Sequence, residues 1–273
     1  MTGRFTAVLE PAVPVTLWFC PNDQLAPGLA TTLAAQWLDE QERESAGQFL
    51  FERDRRQYVV AHVMVRRVLA LESGIPEGEA VIWRSSRGRP FLQKPAGGLP
   101  RGGRELDFNL SHAGGHNLLG VARRHRIGVD VERLDRREQG LDGVVHAFAP
   151  EEREWVARVP PGRARDVRVL RLWTLKEAYS KARGLGLGLS FDSFSFDLDE
   201  DHGVRGFRPP DDDVSHRWRF VELEPVPGVL AAVALMADED ETLVIELHHG
   251  FPWARSSPKT LTVPRAAPLR GAV

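Results

Sequence analysis

Ile127-Gly128-Val129-Asp130-Val131-Glu132 alternates branched apolar residues at 127, 129 and 131 with Gly128, Asp130 and Glu132. That two-residue period reads as a strand with one face on a core, which sends both carboxylates the same way, off that core. Acids at neighbouring same-face positions repel unless a cation lies between them, and an all-oxygen ligand set suits a hard ion such as Mg²⁺. Downstream, Trp173-Thr174-Leu175-Lys176-Glu177-Ala178-Tyr179-Ser180-Lys181 reads as a helix, with Leu172, Leu175, Tyr179 and Ala182 at helical spacing. Trp173, Glu177 and Lys181 then form a separate stripe, roughly opposite the apolar one and facing a groove.

The basic charge of this chain is almost all arginine; its lysines are Lys94, Lys176, Lys181 and Lys259, and two of them fall on this helix. A compact ammonium whose donors swing suits a phosphate under attack better than a rigid guanidinium fork. Alone, a Glu177 to Lys181 pair is a common surface contact stabilising a helix by only ~0.2–0.5 kcal/mol. Beside Asp130 and Glu132 it reads as part of a phosphate-chemistry site.

Gly-Val-Asp-Val-Glu paired with Trp-Thr-Leu-Lys-Glu-Ala-Tyr-Ser-Lys resembles the signature of the 4′-phosphopantetheinyl transferases, in particular their larger, surfactin-synthetase-activating form. Arg87-Gly88-Arg89-Pro90 resembles the family's Gly-Lys-Pro element, and Phe108-Asn109-Leu110-Ser111-His112 its Asn-hydrophobic-Ser-His element. The resemblance runs in family order from about Arg53 to Phe196.

At 273 residues, 42% hydrophobic and 27% charged, the chain suits one large domain or two small lobes. A formal charge of −2 gives no reason to expect a nucleic-acid partner. Cys20 is the single cysteine, so no intramolecular disulfide forms and a reducing compartment is the simpler home. The opening residues lack a secretory pattern and no apolar run reaches the ~20 residues of a membrane span, which reads as a cytoplasmic protein without a membrane segment.

Strand and helix patterns recur in order. A strand at Val15 to Cys20, a short helix at Leu29 to Leu38, and a long helix at Asp54 to Glu72 lead into strands at Ala80 to Arg84, Leu106 to Leu110 and Asn117 to Ala122. The second half runs strand Ile127 to Val131, short helix Glu151 to Val159, long helix Asp166 to Arg183, strand Phe191 to Phe196, and a hairpin of Trp218 to Glu222 with Val229 to Met236. A shift of 110 overlays Glu42-Arg43-Glu44 on Glu152-Arg153-Glu154, and Gly74 on Gly184, as a duplicated unit would. The expected fold is α+β with a cleft between two lobes; the resemblance implies pseudo-twofold lobes, each a small antiparallel sheet on its long helix, with the active site between them. The boundaries read as an N-terminal extension 1–14, lobes 15–125 and 126–247 meeting near Arg124 to Arg126, and a disordered tail 248–273. The acidic run Asp197 to Asp213 reads as a solvated loop.

The family chemistry is transfer of phosphopantetheine from coenzyme A to a serine of an apo acyl or peptidyl carrier protein, releasing adenosine 3′,5′-bisphosphate. The resemblance implies Asp130, Glu132 and Glu177 as Mg²⁺ ligands, Lys181 on the pyrophosphate, and Glu177 as either a ligand or the general base. It implies coenzyme A contacts from Arg53, Arg84, Arg89, Pro90, Ser111 and His112, and a monomer holding both halves of the cleft. Read from residue types alone, Ser111-His112 is equally a turn contact, and Arg84 and Arg89 are equally strand-edge charges. Two other classes fit the acids less well: a non-catalytic coenzyme A or nucleotide binder, and a Mg²⁺-dependent pyrophosphate hydrolase. No Gly-x-Ser-x-Gly elbow or Walker loop is present, and Gly184-Leu185-Gly186-Leu187-Gly188 follows a helix, which does not fit a dinucleotide fingerprint.

Overall fold

The protein is described by a computed structural model covering residues 12–95, 105–135, 141–200, 203–214, 216–253 and 257–263. The first half runs β1 (Val13–Pro21), α1 (Pro27–Trp37), α2 (Glu40–Gly47), α3 (Glu52–Ser73), β2 (Ile82–Arg84), β3 (Pro90–Leu92), β4 (Leu106–Ala113) and β5 (His116–Arg123). The second runs β6 (Ile127–Arg133), α4 (Leu141–Val145), α5 (Pro150–Ala157), α6 (Arg163–Arg183), β7 (Ser195–Leu198), β8 (Val204–Arg208), β9 (Trp218–Leu223) and β10 (Val229–Met236). Two strands follow, β11 (Leu243–His249) and β12 (Lys259–Val263).

The strands form two main sheets, ordered β12-β11-β1-β5-β4 and β6-β10-β9, with small hairpins β2-β3 and β7-β8. Alternation decides how they stack. Val15, Leu17 and Phe19 of β1 and Ile127, Val129 and Val131 of β6 meet in one core between the sheets. The outer face of the larger sheet, with Trp18, Cys20, Phe108, Leu119 and Val121, packs on Val60, Val63, Met64 and Val68 of α3. Ala232 and Ala234 of β10 lie with Leu172, Leu175, Ala178 and Tyr179 of α6 on the far side. The order is thus helix, sheet, sheet, helix, a mixed α+β arrangement. Both long helices stop where Gly74 (φ 81°) and Gly184 (φ 70°) adopt left-handed backbone conformations that other residues resist.

Beneath each long helix lies a buried ion pair, Glu42–Arg66 (2.7 Å) in the first half and Glu152–Lys176 (2.8 Å) in the second. The numbering shift that overlays Glu42 on Glu152 also overlays Arg66 on Lys176, and each glutamate accepts the backbone N–H that opens its own short helix. Lys176 also donates to the carbonyls of Phe191 (2.7 Å) and Phe194 (2.8 Å), and burial pulls its ammonium down to about 8. It is a structural lysine, unlike its neighbour Lys181.

Three expectations need correction. The acidic run is not a plain solvated loop: Ser195–Leu198 and Val204–Arg208 pair as a hairpin, and Asp213 is buried, accepting from Trp218 Nε1 (2.8 Å) and paired with Arg183 (3.1 Å). Asp201 and His202 lie outside the described residues. Nor is 248–273 a tail throughout, since β11 runs parallel beside β1 and Lys259–Val263 adds an antiparallel edge to it. Residues 264–273, and 1–11 of the expected N-terminal extension, lie outside the described residues. Ordered strand also starts later than expected after α6, because Phe191 and Phe194 serve as packing rings over Lys176 and Tyr179.

Candidate active site

Gly128 sets the site geometry. A Cβ there would lie 2.0 Å from the Ala178 carbonyl oxygen and 2.5 Å from the Ala182 nitrogen, so α6 packs its backbone directly against β6. Asp130 and Glu132 share that face. They do leave the inter-sheet core, as the alternation predicts, but they face α6, and Asp130 is only 4% exposed. Trp173, Glu177 and Lys181 are the half-buried positions of an otherwise buried stretch of the helix, and they border the same groove.

Asp130 Oδ1 accepts from Lys181 Nζ at 2.5 Å and from Ser111 Oγ at 2.8 Å, and Lys181 Nζ also donates to Ser111 Oγ at 3.0 Å. Three elements, β4, β6 and α6, thereby converge on one carboxylate. Asp130 Oδ2 is buried without a hydrogen-bond partner. Two residues along, Glu132 Oε1 accepts the Trp173 indole N–H at 3.2 Å. Burial pushes the Glu177 carboxyl above its usual range; Lys181 opposes that shift and the Asp130 charge adds to it.

Strand β4 is stitched to β6 by side chains. Asp107 Oδ2 accepts the Ile127 N–H (2.7 Å), Asn109 Oδ1 accepts the Val129 N–H (2.8 Å), and Ser111 reaches Asp130. The alternation of Asp107, Asn109 and Ser111 with Leu106, Phe108 and Leu110 was a readable signal for this polar edge, and sequence reasoning took only Ser111 from it.

The sequence-derived coenzyme contacts separate into groups. Arg53 and His112 line a cleft of ≈ 610 Å³ with Phe49, Gln57, Tyr58 and Gly114. Arg53 is exposed, 3.0 Å from Asp54; burial and the neighbouring Lys181 both hold the His112 imidazole below its usual range. Arg84 and Pro90 line a smaller hollow of ≈ 150 Å³ with His62 and Phe108. The structure places Arg89 apart from both. It is buried, donating to Asp107 Oδ2 (2.5 Å), the Ile127 carbonyl (2.8 Å) and the Lys181 carbonyl, which makes it a tie between β4, β6 and the end of α6 rather than an open phosphate fork.

Gln57, which sequence reasoning passed over, pins the cleft wall. Its Oε1 accepts from Gly115 N–H (3.1 Å) and Asn22 (3.0 Å), and its Nε2 donates to Asn117 (2.5 Å). Across the Ala113–Gly114 turn lies a second hollow of ≈ 540 Å³, lined by Glu132, Arg133 and Asp135. The turn is thus a wall with a cleft on either side.

Among the described residues no three His, Cys, Asp or Glu side chains converge into a ready metal cage. The donor set still fits Mg²⁺, which is commonly held by one or two carboxylates with substrate phosphates and water. The unpartnered Oδ2 of Asp130 supplies an acceptor of that kind.

The long helix and the acid-bearing strand of this α+β scaffold thus enclose a carboxylate–lysine groove. A family model described as the 4′-phosphopantetheinyl transferase superfamily matches residues 126–234, and one described as 4′-phosphopantetheinyl transferase, N-terminal, matches residues 28–123. The chain is 30% identical over 223 residues to the 4′-phosphopantetheinyl transferase HetI of Nostoc sp., covering 81% of this chain and 87% of that protein. It is 29% identical to a phosphopantetheinyl transferase of a Thraustochytrium species, over 71% of this chain and 69% of that one. The human L-aminoadipate-semialdehyde dehydrogenase-phosphopantetheinyl transferase is 28% identical over 56% of this chain and 50% of its own length. The chain belongs to the 4′-phosphopantetheinyl transferase superfamily.

Proposed function

We propose that the protein transfers the 4′-phosphopantetheine group of coenzyme A to a serine of an apo acyl or peptidyl carrier protein. The observation that carries this reading is the meeting of Ser111, Asp130 and Lys181 from three elements, beside Glu177 and next to the cleft that holds Arg53 and His112. The carrier serine oxygen forms a bond to the β-phosphorus while the bridging P–O bond breaks, and adenosine 3′,5′-bisphosphate leaves with that electron pair. Glu177, its basicity raised by burial, takes the hydroxyl proton directly or through water. Lys181 holds the pyrophosphate and offsets the charge gathering on the leaving oxygen. Asp130 and Glu132, with Glu177, would hold Mg²⁺; when bound, the ion neutralises pyrophosphate charge. Arg53 and His112 face the nucleotide side of the Ala113–Gly115 wall, Arg84 and Pro90 bound the hollow next to it, and the Glu132 side admits the acceptor.

In this reading the two halves are a duplicated unit related by a pseudo-twofold axis, supported by their shared element order and by the matched strand orders β1-β5-β4 and β6-β10-β9. The protein works as a monomer in the cytoplasm. No helix among the described residues is long and apolar enough to cross a membrane.

The test is intact-mass analysis of several apo carrier proteins after incubation with the protein, coenzyme A and Mg²⁺. The reading expects a phosphopantetheine adduct that disappears with a chelator. Coenzyme A binding without an adduct on any carrier would instead mark a non-catalytic binder.

A further inference from the structure

We propose that Lys181 is the resident counter-ion of the acid groove: in the ligand-free protein its ammonium fills the cation position at Asp130, and it leaves for the pyrophosphate when a divalent cation arrives. The inference rests on the transferase reading above and adds an order of events to it.

Asp130 is buried, and a buried carboxylate without a compensating charge is strongly disfavoured. Lys181 Nζ supplies the compensation at 2.5 Å, steadied by Ser111 Oγ at 3.0 Å. The Lys181 and Ser111 bonds to Asp130 both converge on Oδ1, while Oδ2 stays buried without a hydrogen-bond partner. A divalent ion taken up by Asp130 would therefore sit beside an ammonium already held on the same carboxylate. Like charges at that separation repel strongly, more so where water is scarce. The lysine can move because its stem is flexible and its side chain is 27% exposed, whereas Asp130 is fixed in a strand.

Coenzyme A resolves the conflict by giving the displaced ammonium a phosphate oxygen to hold. Metal alone should thus bind weakly, and metal and coenzyme should each tighten the other, since coupling between two ligands is reciprocal. A lysine parked on Asp130 also keeps that buried carboxylate paired between turnovers.

Two measurements on the full chain test this. Mn²⁺ binding, followed by electron paramagnetic resonance without coenzyme, should tighten at least about tenfold in Lys181→Met, because the competing charge is gone. Affinity equal to or weaker than that of the wild type would overturn the proposal. The second measurement needs no variant: acetylation of individual lysines is read by peptide mass spectrometry, with exposed Lys94 and Lys259 as references and buried Lys176 as the slow control. Mg²⁺ alone should raise Lys181 labelling relative to the references, and added coenzyme A should suppress it again. Labelling of Lys181 that Mg²⁺ leaves unchanged would overturn the exchange. The transferase reading is judged separately, by the carrier adduct, so a missing adduct with tighter Mn²⁺ binding in Lys181→Met would remove that reading and leave the counter-ion exchange standing.

Discussion

In the proposed duplication, the two strand–helix grooves correspond and differ in what fills them. In the first half, the outward positions of β1 carry Trp18 and Cys20, both in the apolar core under α3. Trp18 stacks on His248 of β11 (ring centroids 4.3 Å), and Arg67 of α3 donates to the carbonyls of Pro252 (2.9 Å) and Trp253 (2.6 Å). The C-terminal strands thereby close that groove. In the second half, the matching strand positions are Gly128, Asp130 and Glu132, and the shift that overlays the two ion pairs carries Val63, Arg67 and Leu71 of α3 onto Trp173, Glu177 and Lys181 of α6. The first groove is thus closed by apolar stacking and backbone ties, and the second is left charged and half-open. Fold alone does not make the site; these side chains do.

The shared feature gives the largest expected effect. Removing the cation from either buried pair, by Lys176→Ala or Arg66→Ala, strands a glutamate in the core and should cost about 3–5 kcal/mol in denaturant titration. Similar losses at both places would support the equivalence of the halves. A loss confined to one would break it. Replacing the whole pair in the second half, Glu152→Leu with Lys176→Met, should recover most of the stability, because burial already works against both charges.

Next comes the strand position that admits the helix. Gly128→Ala should cost about 3 kcal/mol and disorder the Asp130–Lys181 contact, since the α6 backbone would have to retreat. Thr16→Ala, at a half-buried position on the same face of β1 as Trp18, should cost about 0.5 kcal/mol or less. Equal melting curves for the two variants would mean that α6 does not depend on that contact.

A smaller, pH-dependent difference separates the helices. Burial pulls the His62 imidazole of α3 down to about 4, against the hydrogen bond with the Tyr58 carbonyl, and Arg84 pushes the same way as burial. The unfolded chain takes up that proton first, so the stability in question is complete above pH 6.5 and is lost as the pH falls toward 4, by roughly 3 kcal/mol at most. The second half has Leu172 at the position that the same shift makes equivalent. His62→Leu should flatten the acid side of the stability curve; an unchanged slope would show that His62 does not set it.

Much of the frame was legible because it rests on local periodicity. The alternation at 127–131 and the helical spacing of Leu172, Leu175, Tyr179 and Ala182 both name the buried faces seen in the structure. The short helix α2 was missed because Glu40-Gln41-Glu42-Arg43-Glu44 has no apolar stripe, although Asp39 and Glu42 form a capping box that the sequence displays. Strands β11 and β12 were harder. Strand β11 pairs with β1 from the opposite end of the chain, Leu243 beside Val13, and no local pattern encodes such a partner. Asp213 and Arg89 carry the same lesson: the acid reads as solvated, and the arginine as a coenzyme contact or strand-edge charge, until the fold supplies their partners. At the site, the acids and Lys181 were legible as a pattern, whereas the Ser111 contact with Asp130 and the Trp173 contact with Glu132 depend on how β4, β6 and α6 pack together.

Chemistry, in this view, belongs to the second groove and not the first. The most direct test compares initial rates of phosphopantetheine transfer to an apo carrier for Glu177→Ala and Arg67→Ala, substitutions at equivalent positions of the two long helices. Glu177→Ala should lower the rate by about 10²-fold or more, as loss of a general acid–base group does, with Arg67→Ala within about threefold of wild type. Equal losses in both variants, or near-normal transfer by Glu177→Ala, would contradict that division of labour.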